Sequence, residues 1–426
     1  MTMRQLKAIL LLIWSSFFAL AALFLVFFFW KGGDFLPVGN LNTPSAATAP
    51  SASATPVPPT SSPPQPAPAA ASESAPVRLP SPSAPSLPEN LPPEIDPLTG
   101  LRVDDLTRLE RNPVSVKITN FPRHVRAYQF GLNRADVVYE YYIEDGLSRF
   151  IAVFYGQDAE KAGPVRSGRY FDEHIARMYQ AYLVFANADD RVEAHWLNLP
   201  DFLPFLFLPR EDNCPPLCRD KKIQDYNNFF VNTRGVTDYQ AKTGHKTERV
   251  PLRPTYFNAA EALPPLEIDT IHVRYSAYSY HVWHYDPLSA RYWRESDAQD
   301  SPTVSGEVYS PHMDKLDNQQ VSAVNLVVLI VPHNFNNDYD RADQLFNISL
   351  LNSGAAYIFR GGRAQFAYWR RDQINQPIQL TDENGRLLAL SPGNTFFIVL
   401  NPESSLQQWE HSLRFTFSIP PRTPPQ

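Results

Sequence analysis

An apolar run over residues 9–30 constrains this chain more than any other feature, because only Ser15 and Ser16 interrupt it. As a helix, ~22 residues extend about 33 Å, which is enough to cross a hydrocarbon core of ~30 Å. The run therefore predicts a single transmembrane helix that anchors the protein in the plasma membrane. A cleaved signal peptide is the alternative, but its apolar region is normally ~7–15 residues and ends in a small-residue cleavage site.

The charges beside this run predict its orientation. Arg4 and Lys7 precede it, whereas Lys31 after it is followed closely by Asp34. Because positive residues favour the cytoplasmic side, we expect residues 1–8 to form a cytoplasmic tail and the main domain to be extracytoplasmic. The first cysteine is Cys214, so no cysteine near the membrane could be acylated.

The segment of residues 31–93 is rich in Pro, Ala and Ser, and it holds many of the chain's 41 prolines. A composition with so few apolar residues cannot bury enough surface to offset its ordering entropy, so we expect a disordered linker. Dense proline favours extended polyproline II at ~3.1 Å per residue. The linker is therefore either a passive spacer or a stalk that crosses the cell wall and carries O-glycans on Ser and Thr.

The remaining sequence predicts an α+β fold in two parts. Residues 94–250 form a mixed α/β N-terminal part, with strands over 113–119, 136–143 and 149–155 and a helix over 170–182, where apolar residues recur at helical spacing. Residues 251–426 contain short runs of β-branched and aromatic residues separated by Gly, Pro, Asn or Asp. They predict a mainly antiparallel β C-terminal part.

Several motifs of this globular region resemble a bacterial family of extracytoplasmic proteins. The motifs are PLTGLRVDD (97–105), IEDGLSRFIAVFY (143–155), GPVRSGRYFDE (163–173), YHVWHYD (280–286) and HMDKLDNQQVSAVNLVVLIV (312–331). They are similar to those of the YerB-like lipoproteins, which are built on the N- and C-terminal parts of domain of unknown function 3048. The resemblance implies an extracytoplasmic location and supplies no mechanism, because the family has no established activity.

The Asp145-Gly146 pair between two strand patterns predicts a type I′ hairpin. In a regular hairpin, Glu140, Tyr142 and Glu144 would share one face with Arg149. Two interpretations remain open. The two glutamates form a charged cleft wall, or Arg149 pairs with them in an internal network.

The GPVRSGR segment directly precedes the predicted helix, with Ser167 as the expected N-cap. A helix N-terminus carries partial positive charge, and Arg166 and Arg169 add two guanidinium groups. These residues predict either a pocket for a carboxylate or phosphate, or internal pairs with Glu140, Glu144 or Asp172. In both cases we expect Glu144, Arg149, Arg166 and Arg169 to converge in one polar cluster near the N-terminus of the helix.

The remaining candidates are two cysteines and one histidine–aspartate pair. Cys214 and Cys218 should form a local disulfide outside the cytoplasm. His312 and Asp314 share one face of an extended segment and are candidate ligand-binding residues. Two such ligands fall short of a closed metal site, so the sequence predicts neither a metal nor a cofactor.

Charge and composition limit the function classes. The formal charge of −6 has no long run of either sign, which argues against a nucleic-acid partner. We expect a binding or scaffolding module of the cell envelope, with an envelope protein, peptidoglycan or a polysaccharide as its ligand. The alternative is an enzyme acting on wall or polysaccharide, which would need paired carboxylates roughly 5–9.5 Å apart.

Overall fold

The computed structural model describes residues 91–208, 213–245, 247–337, 340 and 342–422. The predicted anchor and nearly all of the predicted linker lie outside these residues. Within the described part of the chain, no helix is long and apolar enough to cross a membrane.

Most of the regular structure is β, and two sheets contain most of the strands. The N-terminal part contributes β1 (Val114–Thr119), β2 (Val137–Glu144), β3 (Leu147–Phe154), β4 (Tyr182–Val184), β5 (Leu206–Phe207), β6 (Leu217–Arg219) and β7 (Phe229–Val231). The C-terminal part contributes β8 (Leu266–Glu267), β9 (Thr270–Arg274), β10 (Tyr280–Asp286), β11 (Arg291–Asp297), β12 (Tyr309–Pro311), β13 (Met313–Asp314), β14 (Gln319–Gln320), β15 (Ser322–Ala323), β16 (Asn325–Ile330), β17 (His333–Phe335), β18 (Phe346–Ile348), β19 (Asn352–Arg360), β20 (Arg363–Arg371), β21 (Gln379–Thr381), β22 (Thr395–Leu400), β23 (Ser405–Trp409) and β24 (Ser412–Thr416).

The large sheet has eleven strands in the order β21-β20-β19-β16-β22-β2-β3-β1-β4-β5, with β8 paired to β20. Strands of the N-terminal and C-terminal parts meet in it, because β2 pairs in parallel with β22. The two parts predicted on either side of residue 250 therefore share one sheet. Both β2 and β22 are buried almost throughout, as expected for central strands covered on both faces.

The second sheet has seven strands in the order β12-β11-β10-β9-β24-β23, with β15 paired to β11. It packs against one face of the large sheet, where Trp283 of β10 lies 4.9 Å from Phe396 of β22 between ring centroids. Most pairings among the C-terminal strands are antiparallel, in agreement with the sequence pattern. The exceptions are β16 with β22 and β9 with β24.

The described residues contain three α-helices, whereas the sequence predicted one. They are α1 (Tyr170–Met178), α2 (Asp190–Leu197) and α3 (Thr233–Lys242). Asp189 and Asn232 cap the two unpredicted helices by accepting backbone N–H bonds from Arg191 and Gly235.

The predicted helix over 170–182 is shorter than expected. It ends at Met178, and Gln180 has φ of 48°, a left-handed conformation that stops the helix before β4 begins. Phe171 of α1 packs on Tyr139 and Tyr141 of β2, so α1 covers the face of the large sheet opposite the second sheet.

Candidate functional site

Three arginines converge at the start of α1, on the helical face of the large sheet. We call Arg149, Arg166, Arg169 and Glu144 the arginine cluster. Arg149 lies on β3, Arg166 and Arg169 lie in the segment that leads into α1, and Glu144 ends β2. The sequence predicted that these four residues converge near this helix start, and the structure brings them together there.

Backbone pairing places the segment that carries two of these arginines. The N–H of Arg166 donates to the carbonyl of Lys117 at 3.0 Å, and the carbonyl of Arg166 accepts from Ala186 at 3.1 Å. Gly168 lies so close to Trp196 of α2 that a Cβ on it would be 2.5 Å from the indole ring. Only glycine fits this approach, which explains the Ser-Gly-Arg sequence in physical terms.

The predicted N-cap is wrong by two residues. Arg169, not Ser167, occupies the N-cap position of α1. Asp172 accepts from the Arg169 N–H at 2.8 Å and so supplies the bond that Ser167 was expected to provide. The carbonyl of Ser167 instead accepts from Arg149 Nη1 at 3.0 Å.

The three arginines have one carboxylate partner between them. Arg169 is 8 % exposed and pairs with Glu144, while its Nη1 donates to the Gly168 carbonyl. Arg149 is 9 % exposed, and its Nη1 donates to the Ser167 carbonyl. Among the described residues, no carboxylate lies within ion-pair distance of Arg149 or Arg166.

Arg166 lies at the solvent-facing edge of the cluster. It is half-buried, and its guanidinium carbon lies 4.7 Å from the ring centroid of Tyr226. Its Nε is buried without a hydrogen-bond partner, as is the Nε of Arg169. The cluster therefore combines surplus positive charge with donor groups that have no acceptor among the described residues.

The lowered pKa values of two of the arginines agree with this excess of positive charge. Burial, followed by the charges of Arg169 and Arg166, lowers the pKa of Arg149 to about 9. Burial also lowers the pKa of Arg166, and Arg169 adds to the effect while Asp225 and Glu144 oppose it. The protonated forms of both arginines are thus destabilised in the folded protein.

A buried triad lies beneath the arginine cluster. Lys117 Nζ donates to Tyr141 Oη and, at 3.0 Å, to Asp172 Oδ1, and all three side chains are buried. Tyr141 Oη donates to the same carboxylate oxygen at 2.6 Å. Burial lowers the pKa of Lys117 to about 7, and the charges of Arg149 and Arg169 act in the same direction. The carboxylate of Asp172, a predicted ligand-binding residue, is therefore hydrogen-bonded to Lys117 and Tyr141 inside the protein.

Glu140 does not join this cluster. The Asp145-Gly146 turn has positive φ at both residues, as predicted, and Glu144 pairs with Leu147. A β-bulge between Tyr142 and Glu144 then shifts the register, so that Arg149 faces Tyr141 and not Tyr142. The expected sharing of one face by Glu140, Glu144 and Arg149 is wrong, because a bulge inserts one residue and reverses the alternation beyond it.

Glu140 points to the opposite face of the large sheet, toward the second sheet. It is fully buried and forms two bonds with Arg294 of β11, Nη1 to Oε2 at 2.8 Å and Nη2 to Oε1 at 3.1 Å. Ser148 and Asn120 donate to the same carboxylate. We call this the Glu140–Arg294 pair. Glu140 and Glu144 lie on opposite faces of the large sheet. The two carboxylates therefore do not form the acid–base pair that an enzyme acting on wall or polysaccharide would need.

Comparisons with known proteins match both parts of the chain. Residues 98–246 match the "Protein of unknown function (DUF3048) N-terminal domain", and residues 271–397 match the corresponding C-terminal domain. The chain belongs to the DUF3048 family. The resemblance to this family that the sequence motifs indicated is thereby confirmed.

One curated relative and one solved structure extend this match. The chain is 26 % identical over 314 residues to the "Putative lipoprotein YerB" of Bacillus subtilis (strain 168), covering 71 % of this chain and 85 % of the relative. The crystal structure of YerB from Bacillus subtilis matches with a TM-score of 0.60 at 22 % identity, covering 72 % of this chain and 96 % of that chain. The latter likeness shows a shared fold.

The Glu140–Arg294 pair joins the two DUF3048 domains, because Glu140 lies in the N-terminal match and Arg294 in the C-terminal one. His312 belongs to the same buried network. Its Nδ1 lies 3.2 Å from Arg294 Nε, and its Nε2 contacts Gln129 Oε1. Burial and the charge of Arg294 hold the pKa of His312 well below its usual value, so the ring is neutral.

Asp314 has a different set of contacts from His312. Its carboxylate accepts backbone N–H bonds from Gly131, Asn133 and Leu316 at 2.8–2.9 Å. Burial raises its pKa despite these bonds. Both residues are thus buried with protein partners and do not form a shared ligand site. Among the described residues, no group of three or more His, Cys, Asp or Glu is arranged to hold a metal ion.

The cysteine prediction is confirmed, because Cys214 and Cys218 form a disulfide. Residues that sequence reasoning missed in this DUF3048 protein are Lys117, Tyr141, Tyr226 and Arg294. A signal existed for two of them. Lys117 and Arg294 each interrupt an apolar or aromatic strand pattern, and a charge at such a position is buried and must find a partner.

Proposed function

We propose that this protein is a membrane-anchored, extracytoplasmic binding module of the bacterial envelope, and that its arginine cluster holds an anionic group of the ligand. The single observation that supports the proposal most strongly is Arg149. It is a nearly buried arginine whose one hydrogen-bond acceptor is a backbone carbonyl, and it is surrounded by two further arginines.

The physical argument is one of charge compensation. A buried charge without a partner costs several kcal/mol, so folded proteins rarely retain one unless it serves a purpose. An anionic ligand would supply the missing partner, and the N-terminus of α1 favours the same sign of charge. Binding would then be driven by relief of an electrostatic cost already present in the free protein.

The proposed location draws on three observations. The relative YerB carries the description lipoprotein, which implies attachment to a membrane on its outer side. In this chain, the apolar run of residues 9–30 would provide attachment without a lipid. The disulfide Cys214–Cys218 is consistent with an oxidising compartment.

Binding can be tested with the full-length chain in detergent micelles. Isothermal titration calorimetry against soluble peptidoglycan and anionic polysaccharide fragments should detect binding by the wild type. Arg166→Ala should weaken it at least tenfold, because Arg166 is the solvent-facing member of the cluster. Arg370→Ala is the matched control, since Arg370 on β20 is exposed and pairs with Asp372. Equal effects of the two substitutions would contradict the assignment of the site.

The orientation can be tested separately in cells. Protease added to intact protoplasts should release a fragment containing the DUF3048 domains and leave the N-terminus protected. Protection of those domains until the membrane is lysed would contradict the proposed topology.

A further inference from the structure

We infer that the anion bound by the arginine cluster is a doubly charged phosphate, as a phosphate monoester or a diphosphate, and not a carboxylate. This inference rests on the proposed function, since it names the ligand class of the same site.

The charge balance of the site supports a dianion. Among the described residues, the three arginines have one carboxylate within ion-pair distance, that of Glu144, which pairs with Arg169. Asp225 acts on Arg166 from farther away, and its carboxylate is bonded to His124 and Tyr128. Below its pKa of about 7, Lys117 is protonated and is balanced by Asp172 beneath the cluster. The charges of Arg149 and Arg166 are therefore left without a carboxylate in contact. A carboxylate or a phosphodiester carries one negative charge and would leave one arginine unpaired, whereas a phosphate monoester carries about −1.5 to −2 near neutral pH.

The unused donors point in the same direction. The terminal nitrogens of Arg166 are open to solvent and donate to no acceptor among the described residues, and Arg149 uses one bond to the Ser167 carbonyl. Guanidinium groups donate through several N–H groups in a fixed plane, and phosphate presents three strong acceptor oxygens to such groups. A carboxylate has two oxygens and would satisfy fewer of these donors.

Tyr226 supplies a surface for the group attached to the phosphate. Its side chain is 64 % exposed, and its ring lies against the guanidinium of Arg166. Because an aromatic ring buries apolar area at low entropic cost, this residue would pack against a sugar ring esterified to the phosphate. Inorganic phosphate would lack that contact.

The experiment uses the full-length protein in micelles at pH 6.5 and fixed ionic strength, with calorimetric titration of small probes. At this pH Lys117 is mostly protonated and a phosphate monoester is mostly a dianion. Methyl phosphate and pyrophosphate should bind at least tenfold more tightly than dimethyl phosphate and acetate. Arg149→Met should reduce that preference to less than about threefold, because it removes one of the two uncompensated charges. Arg370→Ala should leave the preference unchanged.

A second comparison identifies the source of the phosphate. Glucose 1-phosphate should bind more tightly than inorganic phosphate, and Tyr226→Ala should abolish this difference while retaining phosphate binding. Equal affinities in the wild type would overturn the role of Tyr226.

Two outcomes separate this inference from the proposed function. If acetate or dimethyl phosphate binds as tightly as methyl phosphate, and Arg166→Ala weakens both, the site binds anions but the phosphate inference is wrong. If no probe and no envelope fragment binds, the proposed function is wrong as well.

Discussion

The two faces of the β2–β3 hairpin use the same residue types to opposite effect. On the face toward the second sheet, one arginine meets one glutamate with two hydrogen bonds, and both side chains are fully buried. On the face toward α1, three arginines share one glutamate at the edge of solvent. The first arrangement is complete without a ligand, and the second is not.

This difference separates a structural ion pair from a binding site. A buried pair with every oxygen and nitrogen bonded adds specificity to the joining of two domains, whereas an excess of one charge costs stability that a ligand can recover. The predictions below test that distinction by removing one arginine or one ammonium group at a time.

The largest effect is expected at the Glu140–Arg294 pair. Arg294→Ala leaves Glu140 buried without its partner and should lower the free energy of unfolding by about 3–5 kcal/mol. Urea denaturation followed by tryptophan fluorescence measures this, since Trp283 lies beside the pair with the Arg294 guanidinium 5.3 Å from its ring.

The control for this variant is Arg370→Ala, which removes one partner of an exposed pair. Exposed pairs typically contribute ~0–1 kcal/mol, so this variant should unfold close to the wild type. If Arg294→Ala lowers the free energy of unfolding no more than Arg370→Ala does, the pair does not stabilise the contact between the two domains.

A smaller effect should appear in the pH dependence of stability through Lys117. Its pKa is about 7 in the folded protein, compared with ~10.4 for an unperturbed lysine. Between these values the unfolded chain holds a proton that the folded protein has released. Stability should therefore rise with pH by about 1 kcal/mol per unit between pH 8 and 10.

Lys117→Met removes this contribution and leaves the other titrating groups in place. The difference in unfolding free energy between the wild type and Lys117→Met should therefore change with pH by about 1 kcal/mol per unit between pH 8 and 10. If the unfolding free energies of the two proteins instead run parallel from pH 8 to 10, Lys117 keeps its proton in the folded protein. The electrostatic description of the cluster would then be wrong.

The smallest effect on stability is expected within the arginine cluster itself. Arg149→Met removes a nearly buried positive charge that has no carboxylate partner, so relief of repulsion should offset the lost bond to the Ser167 carbonyl. We expect the unfolding free energy to stay the same or to rise by up to about 1 kcal/mol. A loss comparable to that of Arg294→Ala would place Arg149 in a structural network.

Sequence reasoning anticipated much of the fold and the four residues of the arginine cluster. The strand runs around β1, β2 and β3, the start of α1, and the Asp145-Gly146 turn follow from periodicity and turn chemistry, which act over a few residues. Arg166 and Arg169 were located because they precede a helix start. Glu140 was wrongly placed on the face of Glu144 and Arg149, since a bulge leaves no clear mark in the sequence and a shift of one residue reverses every side chain beyond it.

By itself, the sequence determined the family, the local disulfide and the concentration of arginine before α1, because motifs, short loops and helix starts depend on neighbouring residues. Only the tertiary structure decided that the two parts share one sheet, that Glu140 belongs to Arg294, and that Lys117 and Asp172 lie beneath the cluster. Those partners are separated by 55 to 154 residues along the chain. Which charge meets which depends on the packing of sheets and helices, and no local pattern encodes that choice.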